Sequence, residues 1–349
     1  MTRRRTPVQA TFSPWKLSIA TGVVVLAALV PLIYPSVYGT GVMVTMLILI
    51  TLNASWNFLL GHAGVWNFGQ LALYAGGGYG CGMLVLHAGF PPVLGLIGGV
   101  LAGALLAVLL AIPTLRLFGI YTSLLTFAAS EVVQLVIQND DTGATGGAFG
   151  LPSIPGLFGS LSPLGEVRAW YWLCLAVAVA SVTGLALLVR LPFGLALRTM
   201  RDSLPYASAR GINPMRNRIQ AFALSGAIAG VAGGLYTLYN GSIAPNVMGL
   251  TPMSIYVTMI VVGGLGTITG PIVGTVVLTI VQQALIDHPG TQLTVLGVIL
   301  LVIVVFFPRG LAAEAGVLQR RVEAWMNEEE PPPEPVAPEP APRVATGRS

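Results

Sequence analysis

Apolar runs of about 16 to 22 residues, bounded by turn residues or charges, follow one another along almost the whole chain, and no other feature limits its fold so strongly. Ten are legible, at about 17 to 34, 40 to 60, 68 to 87, 92 to 112, 117 to 138, 169 to 190, 219 to 240, 253 to 268, 271 to 287 and 292 to 307. A helix rises about 1.5 Å per residue and a bilayer core is about 30 Å thick, so runs of this length are membrane spans. The expected fold is all-α, a polytopic transmembrane helical bundle of about ten spans. The eighth and ninth runs are short. A 16-residue helix reaches only about 24 Å, which predicts a broken or re-entrant hairpin over 253–287, opened at "GGLGTITGP".

Composition closes the soluble alternative. Of 349 residues 54% are apolar and only thirteen are Asp or Glu, too few to coat a soluble fold. The net charge of +4 does not point to nucleic acid, because the basic residues flank apolar spans instead of forming one basic and aromatic patch. Their distribution sets an orientation. With the N-terminus inside, Arg3, Arg4, Arg5, Lys16, Arg116, Arg190, Arg198, Arg201, Arg210, Arg216, Arg218, Arg309, Arg320, Arg321, Arg343 and Arg348 all fall on the inner side, and Arg168 alone falls outside. The chain then divides into a cytoplasmic segment 1–16, a membrane domain 17–312 and a cytoplasmic tail 313–349. Within the membrane domain lie an external loop 139–168 and a cytoplasmic loop 191–218. The tail is Pro- and Glu-rich over 328–349, a composition that disfavours folding. The apolar start is read as a retained helix, since no small-residue cleavage site follows it. Cys81 and Cys174, far apart and inside apolar runs, are packing residues.

Several chemistries lack their residues. The only lysine is Lys16, so there is no phosphate-cradling G-x-x-x-x-G-K-[ST]; H-E-x-x-H and G-x-S-x-G are also missing, and His62, His87 and His288 have no metal-binding spacing. An enzyme is not expected. The one acid well inside a span is Glu131 in "YTSLLTFAASEVVQLVIQ". Thr126, Ser130, Gln134 and Gln138 recur near it at helical spacing and give the helix a polar flank. An intramembrane acid is either part of a pathway or a structural hydrogen-bonding group, and both readings stay open.

"RTMRDSLPYASARGINPMRNR", from Arg198 to Arg218, gathers five of the seventeen basic residues. Each would cost about 2.5 to 3.5 kcal/mol at a bilayer centre, so the stretch lies outside lipid. Ser203 caps, Pro205 suits a first turn and Gly211 suits a left-handed exit, which predicts two helical turns over 204–210; Asn213 and Pro214 then open the next helix. Two turns do not stand alone in water, so this helix needs a headgroup surface or a protein partner to lie on.

Five stretches carry a family likeness. "NFLLGHAGVWNFGQLALYAGGGYGCGML" has Asn57, Gly61, Gly64, Gly69 and Tyr79 at the spacing of N-x-x-x-G-Y-x-G-x-x-S-x-G-x-x-x-F-x-G-x-G-A-Y. "LRLFGIYTSLLTFAASEVVQ" follows L-R-x-x-G-I-Y-x-x-x-x-T-x-x-x-x-E, "TGGAFGL" follows T-G-G-x-x-G-L, and Arg201, Ala207, Gly211 and Ile212, with Ala209 at an open position between them, fit R-E-D-x-x-A-A-x-x-x-G-I. "VVGGLGTITGPIVG" with "FFPRGL" makes the fifth. In order and spacing, over roughly 40 to 312, these resemble the membrane permeases of bacterial ABC importers for branched-chain amino acids, of the second (LivM) type. His62 stands where that family has Tyr, Asn67 where it has Ser, and Leu204 and Tyr206 where an acid and Ala are usual.

The resemblance implies one half of a transmembrane path in the bacterial inner membrane, with both termini cytoplasmic. It implies a second permease subunit, two cytoplasmic ATPase subunits that hold ATP and magnesium, and an external substrate-binding protein; this chain itself would hold no cofactor or metal and bind no nucleic acid. On the pathway reading Thr126, Ser130, Glu131 and Gln134 would flank that path; the resemblance sets Arg201, Ala207, Ala209, Gly211 and Ile212 at the ATPase, and Thr145, Gly146 and Gly147 in the external loop. Two rivals remain. One is an importer of urea or short-chain amides; the other is a self-sufficient secondary transporter with Glu131 as its coupling acid.

Overall fold

The computed structural model describes residue 22 and residues 26–32, 36–117, 119–159, 161–286, 289–306 and 310–312. The expected N-terminal segment 1–16, most of the first span, and the tail 313–349 lie outside the described residues. Those described form helices without a strand, apart from one antiparallel bridge between Leu151 and Ile243.

The helices are α1 Val37–Asn57, α2 Gln70–Leu86, α3 Pro92–Thr114, α4 Ile120–Gln138, α5 Pro163–Leu188, α6 Pro192–Asp202, α7 Leu204–Ala209, α8 Pro214–Asn240, α9 Leu250–Gly263, α10 Gly270–Ala284 and α11 Pro289–Phe306. Helix α1 continues without a break into a π turn at Phe58–His62. Five of these segments are long and apolar enough to cross a membrane: Val37–His62, Pro92–Thr114, Ile120–Gln138, Pro163–Leu188 and Pro214–Asn240. Helix α2 has 17 residues, α9 has 14 and α10 has 15, each shorter than a full crossing. The count of ten spans is therefore not established, while the helical membrane bundle is.

Local chemistry explains the boundaries. Ser36 caps α1 through the Gly39 amide, Ser162 caps α5 through Gly165, and Asn213 caps α8 through Arg216. Helix α5 starts six residues before the expected span, since Ser162, Pro163 at its first position and Glu166 in its first turn make a helix start too polar for an apolar window to find. Helix α6 was not anticipated. Its apolar residues Gly194 and Leu197 are buried while Arg198 and Arg201 stay in solvent contact.

The centre is a glycine-lined junction of α2, α3 and α8, the most closely packed helices. A Cβ on Gly77 would stand 2.2 Å from the Gly230 Cα, and one on Gly103 would stand 2.5 Å from the Gly226 carbonyl oxygen. Apolar association is weak in lipid, so this backbone contact is what dispersion can use. The expected break between the eighth and ninth runs is present as Gly264–Thr269, a non-helical turn between α9 and α10. Gly263 and Gly274 allow these two helices to touch: a Cβ on Gly274 would fall 1.8 Å from the Met259 carbonyl oxygen.

Two ends of the bundle can be told apart by contacts. At one, Arg201 reaches Gly61, the Gly266 turn packs on Gly61, and Arg218 donates to the Thr114 and Leu117 carbonyls at 3.1 Å each, closing the end of α3. At the other lie Tyr38 hydrogen-bonded to Gln283, and the 139–162 loop hydrogen-bonded to Gly241 and Ile243.

Candidate functional site

At the Arg201 end, α7 has the boundaries the capping residues predict. Ser203 accepts from the Tyr206 amide, and Gly211 takes φ +78°, which a residue with a Cβ rarely adopts. Ala207 is buried against the bundle and its carbonyl accepts from the Ile212 amide at 3.1 Å; Ala209 and Gly211 are exposed. On the outer surface Arg210 donates to the Tyr206 hydroxyl at 2.8 Å and lies 5.2 Å from the centre of its ring. Arg201 turns the other way. Its guanidinium donates to the Gly61 carbonyl at 2.5 Å, and its stem crosses Gly64 so closely that a Cβ there would lie 2.3 Å from Cγ.

Deeper in, a polar network that the sequence did not single out holds an irregular stretch of backbone. After the π turn the chain runs without helix through Ala63–Gly69 and enters α2 at Gln70. Gln70 lies level with Ser55, seven residues or about 10 Å back along α1. Non-helical backbone at membrane depth survives only where protein satisfies its polar groups. Trp56 donates to the Asn67 carbonyl at 2.6 Å, Asn67 Oδ1 accepts from the Gly69 amide at 3.0 Å, and the Phe68 amide donates to Thr126 Oγ1 at 3.0 Å. Gln70 is the hub: its Nε2 donates to Ser55 Oγ at 2.9 Å and Ser225 Oγ at 3.0 Å, and its Oε1 accepts from Asn67 at 3.0 Å. Polar residues at 53, 55, 57 and 70 inside apolar runs, with Asn67 between those runs, were the available signal.

The expected polar flank of α4 divides into two parts. Thr126 and Ser130 are buried within this chain, and Thr126 is committed to Phe68 and to the Thr122 carbonyl. Glu131 and Gln134 are half-buried. At about 100° per residue Glu131 lies about 140° around the helix from Thr126. Its neighbours on that side, Leu124, Val132 and Leu135, are exposed. Among the described residues Glu131 has no hydrogen-bond or ion-pair partner, so the structural alternative finds no partner within them.

At the far end Asp140 organises the 139–150 loop. Its carboxylate accepts from the Thr142 hydroxyl at 2.5 Å and amide at 2.9 Å, and from the Thr145 hydroxyl and amide at 2.6 Å each. The hydroxyls of Thr142 and Thr145, followed by the Thr145 amide, hold this carboxyl well below the usual carboxylate range. Gly146 and Gly147 then turn the chain through φ +73° and +59°. The loop returns through Gly150, where a Cβ would stand 2.0 Å from the Ile243 carbonyl oxygen, leaving Phe149 95% exposed at the tip. The residues expected on the path thus lie on two sides of α4, and those expected at the ATPase and in the external loop lie at the two opposite ends of the bundle.

The family described as "Branched-chain amino acid transport system / permease component" matches residues 38–306. The chain belongs to this permease family. Its similarity to the high-affinity branched-chain amino acid transport system permease protein LivM of Salmonella typhimurium is 28% identity over 290 residues, 76% of this chain and 68% of that one. LivM of Escherichia coli gives 27% over the same length and shares. The probable LivM of Methanocaldococcus jannaschii gives 27% over 256 residues, 68% of this chain and 71% of that one. No solved structure matches the chain. The permease is thus a multi-pass membrane component of a transport system, and the matched region spans the π turn, the Gln70 network, α4 and the Arg201 segment together.

Proposed function

We propose that this permease imports branched-chain amino acids across a bacterial inner membrane, on a path completed by a second permease subunit and driven by two cytoplasmic ATPase subunits. The carrying observation is the position of Glu131. An unpartnered acid on the outer side of a membrane helix is costly in lipid, and a facing permease subunit would cover it and make Glu131 and Gln134 the wall of a shared path. Thr126 and Ser130 would hold that wall in place from behind. The relatives named above supply the substrate class; selectivity would reside chiefly in an external substrate-binding protein docked near Thr145, Gly146 and Gly147.

Arg201, Ala207, Ala209, Gly211 and Ile212 would receive the ATPase. Arg116, Arg190, Arg198, Arg210, Arg216 and Arg218 belong to the same inner-side group by charge count, which supports placing that end in the cytoplasm. Cyclic movement of α6 and α7 by ATP binding and hydrolysis would alternate access to the path. ATP and magnesium would be held by the partners, with this chain contributing no catalytic group.

The test is transport by the assembled complex, with labelled leucine, isoleucine and valine set against urea and short-chain amides. Uptake of the branched-chain amino acids, with matching affinity in the cognate binding protein, is expected. Preference for urea or amides would overturn the substrate assignment.

A further inference from the structure

The π turn at Phe58–His62 leaves the Gly61 carbonyl to be claimed from outside the helix. In a π turn the amides bond one residue further back than in an α-helix, and such turns concentrate at sites of function. Here the Ala63 amide donates to the Phe58 carbonyl at 3.2 Å and the Val65 amide to the Leu59 carbonyl at 3.0 Å. In continuous α-helix the Val65 amide would instead bond the Gly61 carbonyl. That carbonyl is occupied by Arg201. A buried carbonyl needs one partner: Arg201 supplies it here, and the Val65 amide would supply it in continuous helix.

The backbone around it is able to change. Gly64 takes φ +67° and, as glycine, can also enter the α region without strain. Beside the turn is a small cavity lined by Asn57, Phe58, His62, Val189, Thr267 and Pro271, and the Nδ1 of the same His62 is buried without a hydrogen-bond partner. The present arrangement therefore leaves both space and an unsatisfied polar atom.

The same helix face grips the α9–α10 hairpin. A Cβ on Gly61 would stand 2.2 Å from the Gly266 Cα, Asn57 one turn back bonds both Gly266 and Thr267, and Asn53 another turn back donates to Thr275 at 2.8 Å. A change in the turn at 58–62 is thereby a change in what the hairpin rests on.

We propose that Arg201 is a positioning residue that holds this turn in its π form by occupying the Gly61 carbonyl, and that its withdrawal passes the carbonyl to the Val65 amide and loosens the grip on the α9–α10 hairpin. Displacement of α6 and α7 becomes a register change in α1, and from there a movement of the hairpin. The inference rests on the reading that a partner ATPase moves α6 and α7.

The test uses the full transport complex in proteoliposomes, measuring assembled complex, ATP hydrolysis and substrate moved per ATP. Arg201→Ala removes the donor; Gly64→Ala leaves it in place but fills the space its stem occupies. Each variant is expected to lower substrate moved per ATP by about fivefold or more, the low end of allosteric coupling, and Gly64→Ala, which leaves the residues at the ATPase unchanged, should keep assembly and hydrolysis within about twofold of wild type. The double variant should be no worse than either single one, and Arg201→Lys, which retains a donor, should recover part of the ratio. An unchanged ratio in Arg201→Ala, equal loss of assembly and transport, or additive losses in the double variant would each overturn the proposal. Absence of ATP-driven uptake by the wild-type complex would instead overturn the permease reading itself.

Discussion

Asn57 and Gly266, 209 residues apart in sequence, are joined by a hydrogen bond of 2.9 Å from the Gly266 amide to the Asn57 Oδ1, while the same side chain donates to the Thr267 carbonyl at 2.7 Å. One side-chain amide thus satisfies two backbone polar groups of the turn that breaks α9 from α10. An apolar replacement cannot do this. Asn57→Ala should destabilise the permease by about 1–3 kcal/mol, the cost of leaving buried backbone groups unpaired. Thermal unfolding in detergent checks it, and an unchanged midpoint would show the turn to be held by other contacts.

Thr126 and Glu131, five residues apart on α4, should respond differently. Thr126→Val removes the acceptor of the Phe68 amide and is expected to cost about 1–3 kcal/mol of stability. Glu131→Gln keeps the shape and should leave assembly intact while lowering transport about tenfold, the equivalent of one charge-assisted hydrogen bond. Yield and melting of the purified complex, compared with uptake rate, separate the two. Loss of assembly in Glu131→Gln would make that residue structural.

The glycine junction gives a third test. Gly230→Ala places a Cβ 2.4 Å from the Gly99 carbonyl oxygen, so α3 and α8 must separate. Overpacking of this kind costs about 1–3 kcal/mol and more where backbone has to move. Gly184, whose Cβ would meet nothing within 4 Å, is the matched control, and Gly184→Ala should be tolerated. Quantifying folded protein by size-exclusion profile decides the matter; equal profiles for both variants would contradict close packing at Gly230.

Asp140 predicts an acid response confined to one loop. Its carboxyl is held below its unfolded value of about 3.9 by the Thr142 and Thr145 donors, so the loop's order is fully supported above about pH 4. That support is lost as pH falls below about 4 toward the lowered folded value. Amide exchange at Thr142 and Thr145 should be slow and steady from neutral pH to about 4, after correction for intrinsic rates, and Asp140→Asn should raise it at every pH in that range. Protection that survives Asp140→Asn would remove the carboxylate from the loop's support.

The parts of this molecule that were legible in advance are those written in one segment at a time. Apolar runs marked the helices, Ser203 and Gly211 bounded α7, and "GGLGTITGP" marked the break between α9 and α10. What escaped reading depends on partners far away in the chain. The π turn at Phe58–His62 looks like ordinary helix until Arg201 and Gly266 close on Gly61, and Gln70 looks like a span start until Ser55 and Ser225 meet it. On α4, helical spacing grouped Thr126 with Glu131, but only the packing of α2 against that helix shows that one is enclosed and the other left outward.

The most direct measurement of the central claim is uptake of labelled leucine into proteoliposomes holding this permease with and without its ATPase and second-permease partners. Uptake that requires ATP, the partners and the external binding protein together is the predicted result. Accumulation by this chain alone, driven by a proton or sodium gradient, would contradict it.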